Sequence, residues 1–179
     1  MDAISCIKTR RSIRSFENKP VDHKVIEEIV EAASFSPSWK NTQVARYIVV
    51  EDASLKSQIA KECTHTYGGN ASIIDSAAAL VVVSYVTKRS GYERDGSYST
   101  SKENGWEMFD AGIASQSFCL AAHSLGLGTV IMGLFDDTIA DLIDLPEGQA
   151  ISCIIALGYP AESPAAPKRK EVSDLVSYR

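Results

Sequence analysis

The sequence predicts a single domain in which α-helices and β-strands alternate. Its 179 residues correspond to one domain of ordinary size. Apolar residues make up 45% and charged residues 23% of the chain, which is the composition of a globular protein with a hydrophobic core. Amphipathic segments with helical spacing alternate with short β-branched or continuously apolar runs. This pattern alone does not separate a parallel sheet from an antiparallel one.

The first half of the chain contains clear start and stop signals for its elements. Aspartates stand where the pattern requires N-caps, and a proline ends the second helix because the residue before proline disfavours helical geometry. The predicted elements are a helix over residues 2–9 capped by Asp2, a helix from Asp22 to before Pro37, a strand over 47–50, a helix capped by Asp52, a loop over 64–72, and a strand over 80–86 covered on both faces.

The second half contains a long polar segment and an apolar helix. Residues 87–104 contain no aliphatic side chain, and a loop of that length favours a lid over a passive connection. The helix over 105–125 is apolar almost all round, so it is predicted to be buried against other helices or another subunit. The remaining predicted elements are a strand over 130–132, a helix over 138–143, a strand over 150–157, and a proline-interrupted extension from Gly158 to about Val172.

Charge and residue usage exclude several classes of protein. The net charge of −5 argues against a nucleic-acid partner, because neutralising phosphates requires a basic surface. The four cysteines show no CxxC spacing and the three histidines are far apart, so we expect no metal site. No signal-peptide pattern and no apolar stretch of membrane-spanning length occurs. We therefore expect a cytoplasmic protein with no membrane partner.

Two short motifs could bind a ligand, and a glycine-containing pattern does not form the nucleotide site that it suggests. Arg10, Arg11, Ser12 and Arg14 combine guanidinium groups with a hydroxyl, which suits a phosphate monoester. Residues 36–43 offer hydroxyls, amides and a tryptophan in a turn that follows a helix. The glycines at 126 and 128 do not form a dinucleotide fingerprint, because they follow a helix and precede a strand, whereas that fingerprint lies between a strand and a helix.

Taken together and in order, the motifs resemble the FMN-dependent nitroreductase family along the whole chain. The residues that carry the resemblance are Arg10-Arg11-Ser12-Ile13-Arg14 followed by Phe16, Pro37-Ser38 with Asn41 and Gln43, Gly126-Leu127-Gly128-Thr129 leading to Met132-Gly133, Ala156-Leu157-Gly158-Tyr159-Pro160, and Pro167-Lys168-Arg169-Lys170. One departure is visible: Val44 and Ala45 follow Gln43, where the family often has proline and tryptophan.

The resemblance implies an α+β fold with a central, mainly antiparallel sheet wrapped by helices. It further implies an intertwined homodimer that binds one FMN in each of two clefts at the subunit interface. On this basis residues 1–160 form the flavin-binding domain and residues 161–179 form an extension that wraps the partner subunit.

Roles for individual residues follow from the same resemblance. The phosphate would be held by Arg10, Ser12 and Arg169, and Lys168 would assist them; Arg11 belongs to the same segment as Arg10. Arg14 would lie near the pyrimidine edge of the flavin, where positive charge stabilises the reduced form of the flavin. Residues from the partner would bracket the ring: Pro37, Ser38, Trp39 and Asn41. Met132 and Gly133 would lie against the ring with a main-chain N–H directed at N5, and Asn70 would contact a polar edge.

The implied activity is that of an FMN-dependent NAD(P)H oxidoreductase. NADH or NADPH would pass hydride to flavin N5 and leave, and a nitroaromatic or quinone-like acceptor would then enter the same cleft in a ping-pong reaction. The catalytic chemistry is then centred on the flavin, and the protein supplies position and electrostatic field. Two alternatives stay open: a flavin enzyme of other chemistry, such as dehalogenation or flavin breakdown, and a flavin-binding redox sensor without turnover.

Overall fold

A four-stranded antiparallel sheet is the centre of the computed structural model, which describes residues 2–64 and 69–179. The strand order is β1-β2-β4-β3, so β1 and β3 form the two edges. The strands are β1 (Ala45–Val50), β2 (Ala79–Val86), β3 (Gly128–Met132) and β4 (Gln149–Gly158). Every pair of neighbours runs antiparallel, which confirms the sheet implied by the resemblance.

The helices lie on both faces of this sheet. They are α1 (Ala3–Thr9), α2 (His23–Ser34), α3 (Ala53–Glu62), α4 (Asn70–Ser76), α5 (Gly105–Ser124) and α6 (Ile139–Leu142). Alternate residues of β2 face opposite sides: Leu80 belongs to the core formed with α3, α4 and α6, whereas Val81 belongs to the core formed with α2 and α5. The prediction that β2 is covered on both faces is confirmed.

The predicted caps Asp2 and Asp52 are confirmed, and Asp22, at the predicted start of the second helix, is a cap as well. A side-chain oxygen of Asp2 accepts the N–H of Ser5 at 3.0 Å, Asp22 accepts that of Lys24 at 2.8 Å, and Asp52 accepts that of Leu55 at 2.8 Å. Each carboxylate satisfies an N–H group that has no partner inside its helix.

The predicted loop over 64–72 is wrong at its end, because Asn70 is the first residue of α4. The two glycines and the asparagine suggested a turn. However, Ile73 and Ile74 are buried in the core, and helical geometry places them there. Residues 65–68 of the predicted loop lie outside the described residues.

Internal contacts organise the segment over 87–104, for which the sequence predicts a loop that acts as a lid. Tyr92 and Tyr98 form an antiparallel bridge, and their ring centroids lie 4.9 Å apart. The hydroxyl of Ser99 donates to Glu93 at 2.6 Å, and Nε1 of Trp106 donates to the hydroxyl of Thr100 at 2.9 Å. The segment is therefore a folded turn that packs against the start of α5.

Helix α5 leaves one stripe of its surface exposed in the single chain, so burial of this stripe against another subunit stays a prediction. The exposed fraction is 48% at Met108 and 57% at Phe109, and Gly112 and Gln116 on the same stripe are also exposed. The opposite side is buried against the sheet through Ala111, Phe118 and neighbouring residues. The stripe contains no charged side chain, which is unusual for a helix face in water.

Candidate functional site

The arginine segment that follows α1 is fixed against the edge strand β3. Ser12 forms a parallel bridge with Thr129, and the N–H of Ile13 donates to the carbonyl of Thr129 at 3.0 Å. A Cβ added to Gly128 would lie 2.7 Å from Cγ1 of Ile13, so only glycine permits this close approach. The sheet edge therefore holds Arg10, Arg11 and Ser12 in one place.

Arg10 contributes a polar group that lacks a partner in the single chain. Within residues 2–64 and 69–179, its Nε–H is buried and donates to no acceptor. Arg10 and Arg11 line a cavity of about 340 Å³ together with His123, Thr129 and other residues. A buried guanidinium N–H without a partner is costly, so the site is suited to an oxyanion.

The cationic environment of this cavity acts on His123. Burial, and then the charges of Arg10 and Arg11, lower the pKa of His123 below its ordinary value of 6.5. Its Nε2 lies 3.0 Å from the hydroxyl of Thr9. The histidine is therefore neutral near pH 7.

Arg11 and Arg14 are placed differently from Arg10. Nη1 of Arg11 donates to the carbonyls of Lys8 at 2.8 Å and Arg10 at 2.9 Å, so part of its guanidinium serves the end of α1. Arg14 is exposed, and its main-chain N–H donates to the carboxylate of Glu162. Of the three arginines, Arg10 is the one whose donor is buried and unpartnered within the described chain.

Asn70 and the segment after β3 come together, although they are far apart in sequence. Nδ2 of Asn70 donates to the carbonyl of Leu134 at 3.3 Å. Met132 is buried, whereas Gly133 is exposed, and a Cβ added to Gly133 would meet no atom within 4 Å. Three predicted site residues thus share one region, with open space above Gly133.

The loop after α2 has an unusual backbone. Lys40, Asn41 and Gln43 have φ values of 44°, 56° and 49°, in the left-handed region that non-glycine residues rarely adopt. The N–H of Gln43 donates to the hydroxyl of Ser38 at 2.9 Å, which closes the loop. Such strain persists only where surrounding contacts impose it, and it clusters at functional sites.

Asp110 of α5 supplies the contact that holds this loop, and sequence reasoning missed it. Its Oδ2 accepts the main-chain N–H of Trp39 at 2.9 Å and the hydroxyl of Ser90 at 2.6 Å. The hydroxyls of Ser90 and Thr42 lie 2.7 Å apart. The available signal was the presence of two acids, Glu107 and Asp110, in an otherwise apolar helix, since buried carboxylates require partners.

Trp39 packs inside its own chain. Its ring centroid lies 4.7 Å from that of Trp106, which in turn makes an edge contact with Phe109 at 5.5 Å. Nε1 of Trp39 is buried without a hydrogen-bond partner among the residues that the structure describes. The side chain thus connects the strained loop to the exposed stripe of α5.

The cations of the C-terminal extension are not brought to Arg10 by any contact described in the single chain. Lys168 and Arg169 are exposed, and Nη1 of Arg169 donates to the nearby carbonyl of Pro167 at 3.2 Å. The extension contacts the domain at its start, where the N–H of Ala161 donates to the carbonyl of Ser15 at 2.9 Å. The predicted phosphate role of Lys168 and Arg169 stays a prediction.

The antiparallel α+β fold and the arginine segment at its edge define the class to which this chain belongs. A model of the nitroreductase family matches residues 7–67 and 64–159. The chain is a member of the nitroreductase family, which confirms the resemblance.

Relatives and solved structures agree with this assignment. The chain is 35% identical over 169 residues to a Methanothermobacter thermautotrophicus protein whose name places it among NADH dehydrogenases or NAD(P)H nitroreductases, covering 92% of this chain and 80% of that protein. It is 29% identical to the FMN reductase (NAD(P)H) of Bacillus subtilis, covering 94% and 70%. A protein from Exiguobacterium sibiricum, solved in complex with FMN, has a TM-score of 0.86 at 18% identity, covering 100% of this chain and 98% of that one, which shows the shared fold.

Proposed function

We propose that this protein is an FMN-dependent oxidoreductase that takes electrons from NADH or NADPH and reduces small acceptors of the nitroaromatic or quinone type. The observation that carries the proposal is the buried, unpartnered Nε of Arg10 at a sheet edge in a member of the nitroreductase family. Relatives named as FMN reductase and NADPH-flavin oxidoreductase support the same activity.

The residues present fit the phosphate end of FMN. Arg10 offers an unused donor beside Ser12, and Gly128 lets the segment lie close to β3. A charge-assisted hydrogen bond from a guanidinium to a phosphate oxygen satisfies that donor. Lys168 and Arg169 would add positive charge once the extension is in place, with Arg11 contributing from the same segment as Arg10.

The residues around Gly133 fit the ring. The space above Gly133 is open, Met132 supplies a buried apolar neighbour, and Asn70 offers an amide at the edge. Arg14 would place positive charge near the pyrimidine edge. FMN bound here would supply the hydride and electron chemistry, and the protein side chains would orient it and exclude water.

The active form is proposed to be a homodimer in which Pro37, Ser38, Trp39 and Asn41 of one chain bracket the flavin of the other. The uncharged stripe of α5 around Met108 supplies apolar surface that a second copy would cover. Obligate dimers bury large apolar interfaces of this kind.

The extension over residues 161–179 is proposed to cross onto the partner. Its side chains Val172, Leu175 and Tyr178 are 73%, 69% and 87% exposed. A groove of about 630 Å³ between α2 and β1 follows the edge of the sheet and is lined by Ile26 and Val30 among others. The partner's apolar extension is a suitable occupant for a groove of this chemistry.

We further propose that the protein acts in the cytoplasm on small molecules and has no nucleic-acid partner. Among the residues that the structure describes, no helix is both long enough and apolar enough to cross a membrane. The net charge of −5 is unfavourable for binding nucleic acid.

Identification of the cofactor tests the proposal directly. We expect the purified protein to show a flavin spectrum, and heat release followed by mass spectrometry to give FMN. Anaerobic addition of NADH or NADPH should bleach that spectrum, and a nitroaromatic or quinone should restore it. FAD, no flavin after reconstitution, or a flavin that neither nicotinamide reduces would contradict the proposal.

A further inference from the structure

A second cavity, of about 400 Å³, lies beside the strained loop and away from the arginine segment. We define it as the cationic cavity by the six lining residues that give it its character: Trp39, Lys40, Lys88, Arg89, Tyr92 and Arg94. Four of these are cations and two are aromatic. Trp39 and Lys40 belong to the loop that is proposed to bracket the partner's flavin, so the cavity shares two residues with that loop.

One of the four cations of the cationic cavity is paired with an acid that also lines the cavity. Lys40 pairs with Glu93, whose carboxylate oxygens lie 3.1 Å and 3.3 Å from Nζ. In the described ranges, 2–64 and 69–179, no carboxylate forms an ion pair with Lys88, Arg89 or Arg94. Three cationic side chains of the cavity are thus without an ion pair among the described residues, and the nearby acids Glu107 and Asp110 accept main-chain N–H groups.

Two buried acids of α5 hold the walls of the cavity. Asp110 fixes the wall that contains Trp39, as described above. Glu107 is 3% exposed and accepts the main-chain N–H of Arg89 at 3.4 Å. Burial raises the pKa of Glu107, and the main-chain donors of Arg89 and Lys88 partly offset that rise.

The two walls are also connected to each other. The hydroxyls of Thr42 and Ser90 lie 2.7 Å apart and join the loop after α2 to the segment after β2. Lys88 lies in the segment after β2 and has a φ of 58°, so its backbone is held in a rarely populated conformation. Hydrogen bonds therefore fix the backbone of both segments that carry the cations. A binding site requires side chains that are positioned in this way.

We propose that the cationic cavity binds the anionic group of a substrate whose flat ring is presented to the flavin. This inference rests on the proposed function. Guanidinium groups bind carboxylate and phosphate oxygens in bidentate fashion, and Trp39 and Tyr92 offer aromatic surface to the rest of the molecule. The anion is either the ribose phosphate that distinguishes NADPH from NADH or a carboxylate on the acceptor.

Kinetics with paired substrates distinguish these two sources. The variant Arg89→Gln/Arg94→Gln removes two cations from the cavity, and Lys24→Gln/Lys61→Gln removes two exposed cations elsewhere as the matched control. For each protein, kcat/KM is measured for NADPH and NADH, and for 4-nitrobenzoate and uncharged 4-nitrobenzamide. The dissociation constants of both acceptors for the oxidised holoenzyme, without a donor, are read from the visible flavin spectrum.

We expect the cavity variant to lower one ratio of charged to uncharged substrate about ten-fold, as for the loss of a charge-assisted contact. The ratio that falls identifies the source of the anion. The reverse change, Glu93→Gln, removes the acid that neutralises Lys40 and should raise the same ratio. For every variant we expect the FMN content to be preserved. We also expect unchanged rates with the substrate of each pair that lacks the additional anionic group.

Two results would overturn the inference. One is a change of less than three-fold in both ratios for the cavity variant; the other is an equal change in the control. An absence of flavin in the unmodified protein would instead contradict the proposed function, so the two failures are distinguishable.

Discussion

The main-chain N–H of Trp39 donates a 2.9 Å hydrogen bond to the carboxylate of Asp110, which lies 71 positions further along the chain. The same oxygen accepts the hydroxyl of Ser90 at 2.6 Å. One buried acid on α5 therefore positions both the strained loop after α2 and the segment after β2. Because the loop after α2 is proposed to bracket the partner's flavin, we expect the geometry of that cleft to depend on this carboxylate.

Replacement of Asp110 should destabilise the protein in proportion to the donors left without a partner. We expect Asp110→Ala to lower the free energy of unfolding by about 2–4 kcal/mol, since one buried and one partly buried donor lose their acceptor. Asp110→Asn keeps an acceptor oxygen and should cost about 1 kcal/mol. Urea unfolding measures both values. The exposed Glu28→Ala on α2 is the control, and an equally small effect of Asp110→Ala would contradict the assigned role.

Arg10 and Arg169 are expected to contribute to FMN affinity more than Lys170 does. Arg10→Ala removes the buried donor, and Arg169→Ala removes a cation predicted to reach the phosphate, so each should weaken binding about ten-fold. Lys170→Ala is predicted to have a much smaller effect because it lies outside the predicted pocket. Titration of apoprotein with FMN gives the dissociation constants. Equal effects at all three positions would indicate general electrostatic attraction instead of specific contacts.

Substitutions of two glycines, one in β3 and one directly after it, should have separate effects on folding and on flavin binding. A Cβ at Gly133 meets no atom within 4 Å, so Gly133→Ala should leave the unfolding transition of apoprotein unchanged while lowering FMN affinity ten-fold or more. A Cβ at Gly128 would lie 2.7 Å from Ile13, so Gly128→Ala should destabilise the fold by about 1–3 kcal/mol. Thermal unfolding of apoprotein and FMN titration measure the two effects. Wild-type FMN affinity in Gly133→Ala would show that the ring does not lie there.

Local sequence patterns predicted the elements of this fold well, because caps and apolar runs act over a few residues. The capping by Asp2, Asp22 and Asp52 and the burial of β2 follow from such patterns. The contacts of Asp110 could not be predicted, since they depend on how α5 crosses two distant segments. Asn70 shows the same limit: glycines before it suggested a loop, but core burial of Ile73 and Ile74 favours helix.

The arginine-lined cavity should make stability depend on pH through His123. Burial and the charges of Arg10 and Arg11 lower its pKa in the folded state below the ordinary 6.5, so the unfolded chain binds the proton more readily. The stability contributed by neutral His123 is therefore fully present above pH 6.5 and is lost as pH falls through the folded pKa. We expect His123→Gln to flatten the fall in the free energy of unfolding of apoprotein below pH 6.5. An unchanged slope would contradict this assignment.

The exposed apolar extension predicts that dimerisation requires residues beyond Pro164. Val172, Leu175 and Tyr178 are largely exposed in the single chain, and burying them on a partner contributes stability of about 25 cal/mol per Å² of apolar surface. Deletion of residues 165–179 retains the contact between Ala161 and Ser15 but should convert the dimer to monomer. Sedimentation velocity over a range of concentrations measures the change. The control is the full-length Lys168→Ala/Arg169→Ala variant, which keeps the apolar side chains and should remain dimeric. A truncated protein that dimerises as tightly as the full chain would show that α5 alone forms the interface.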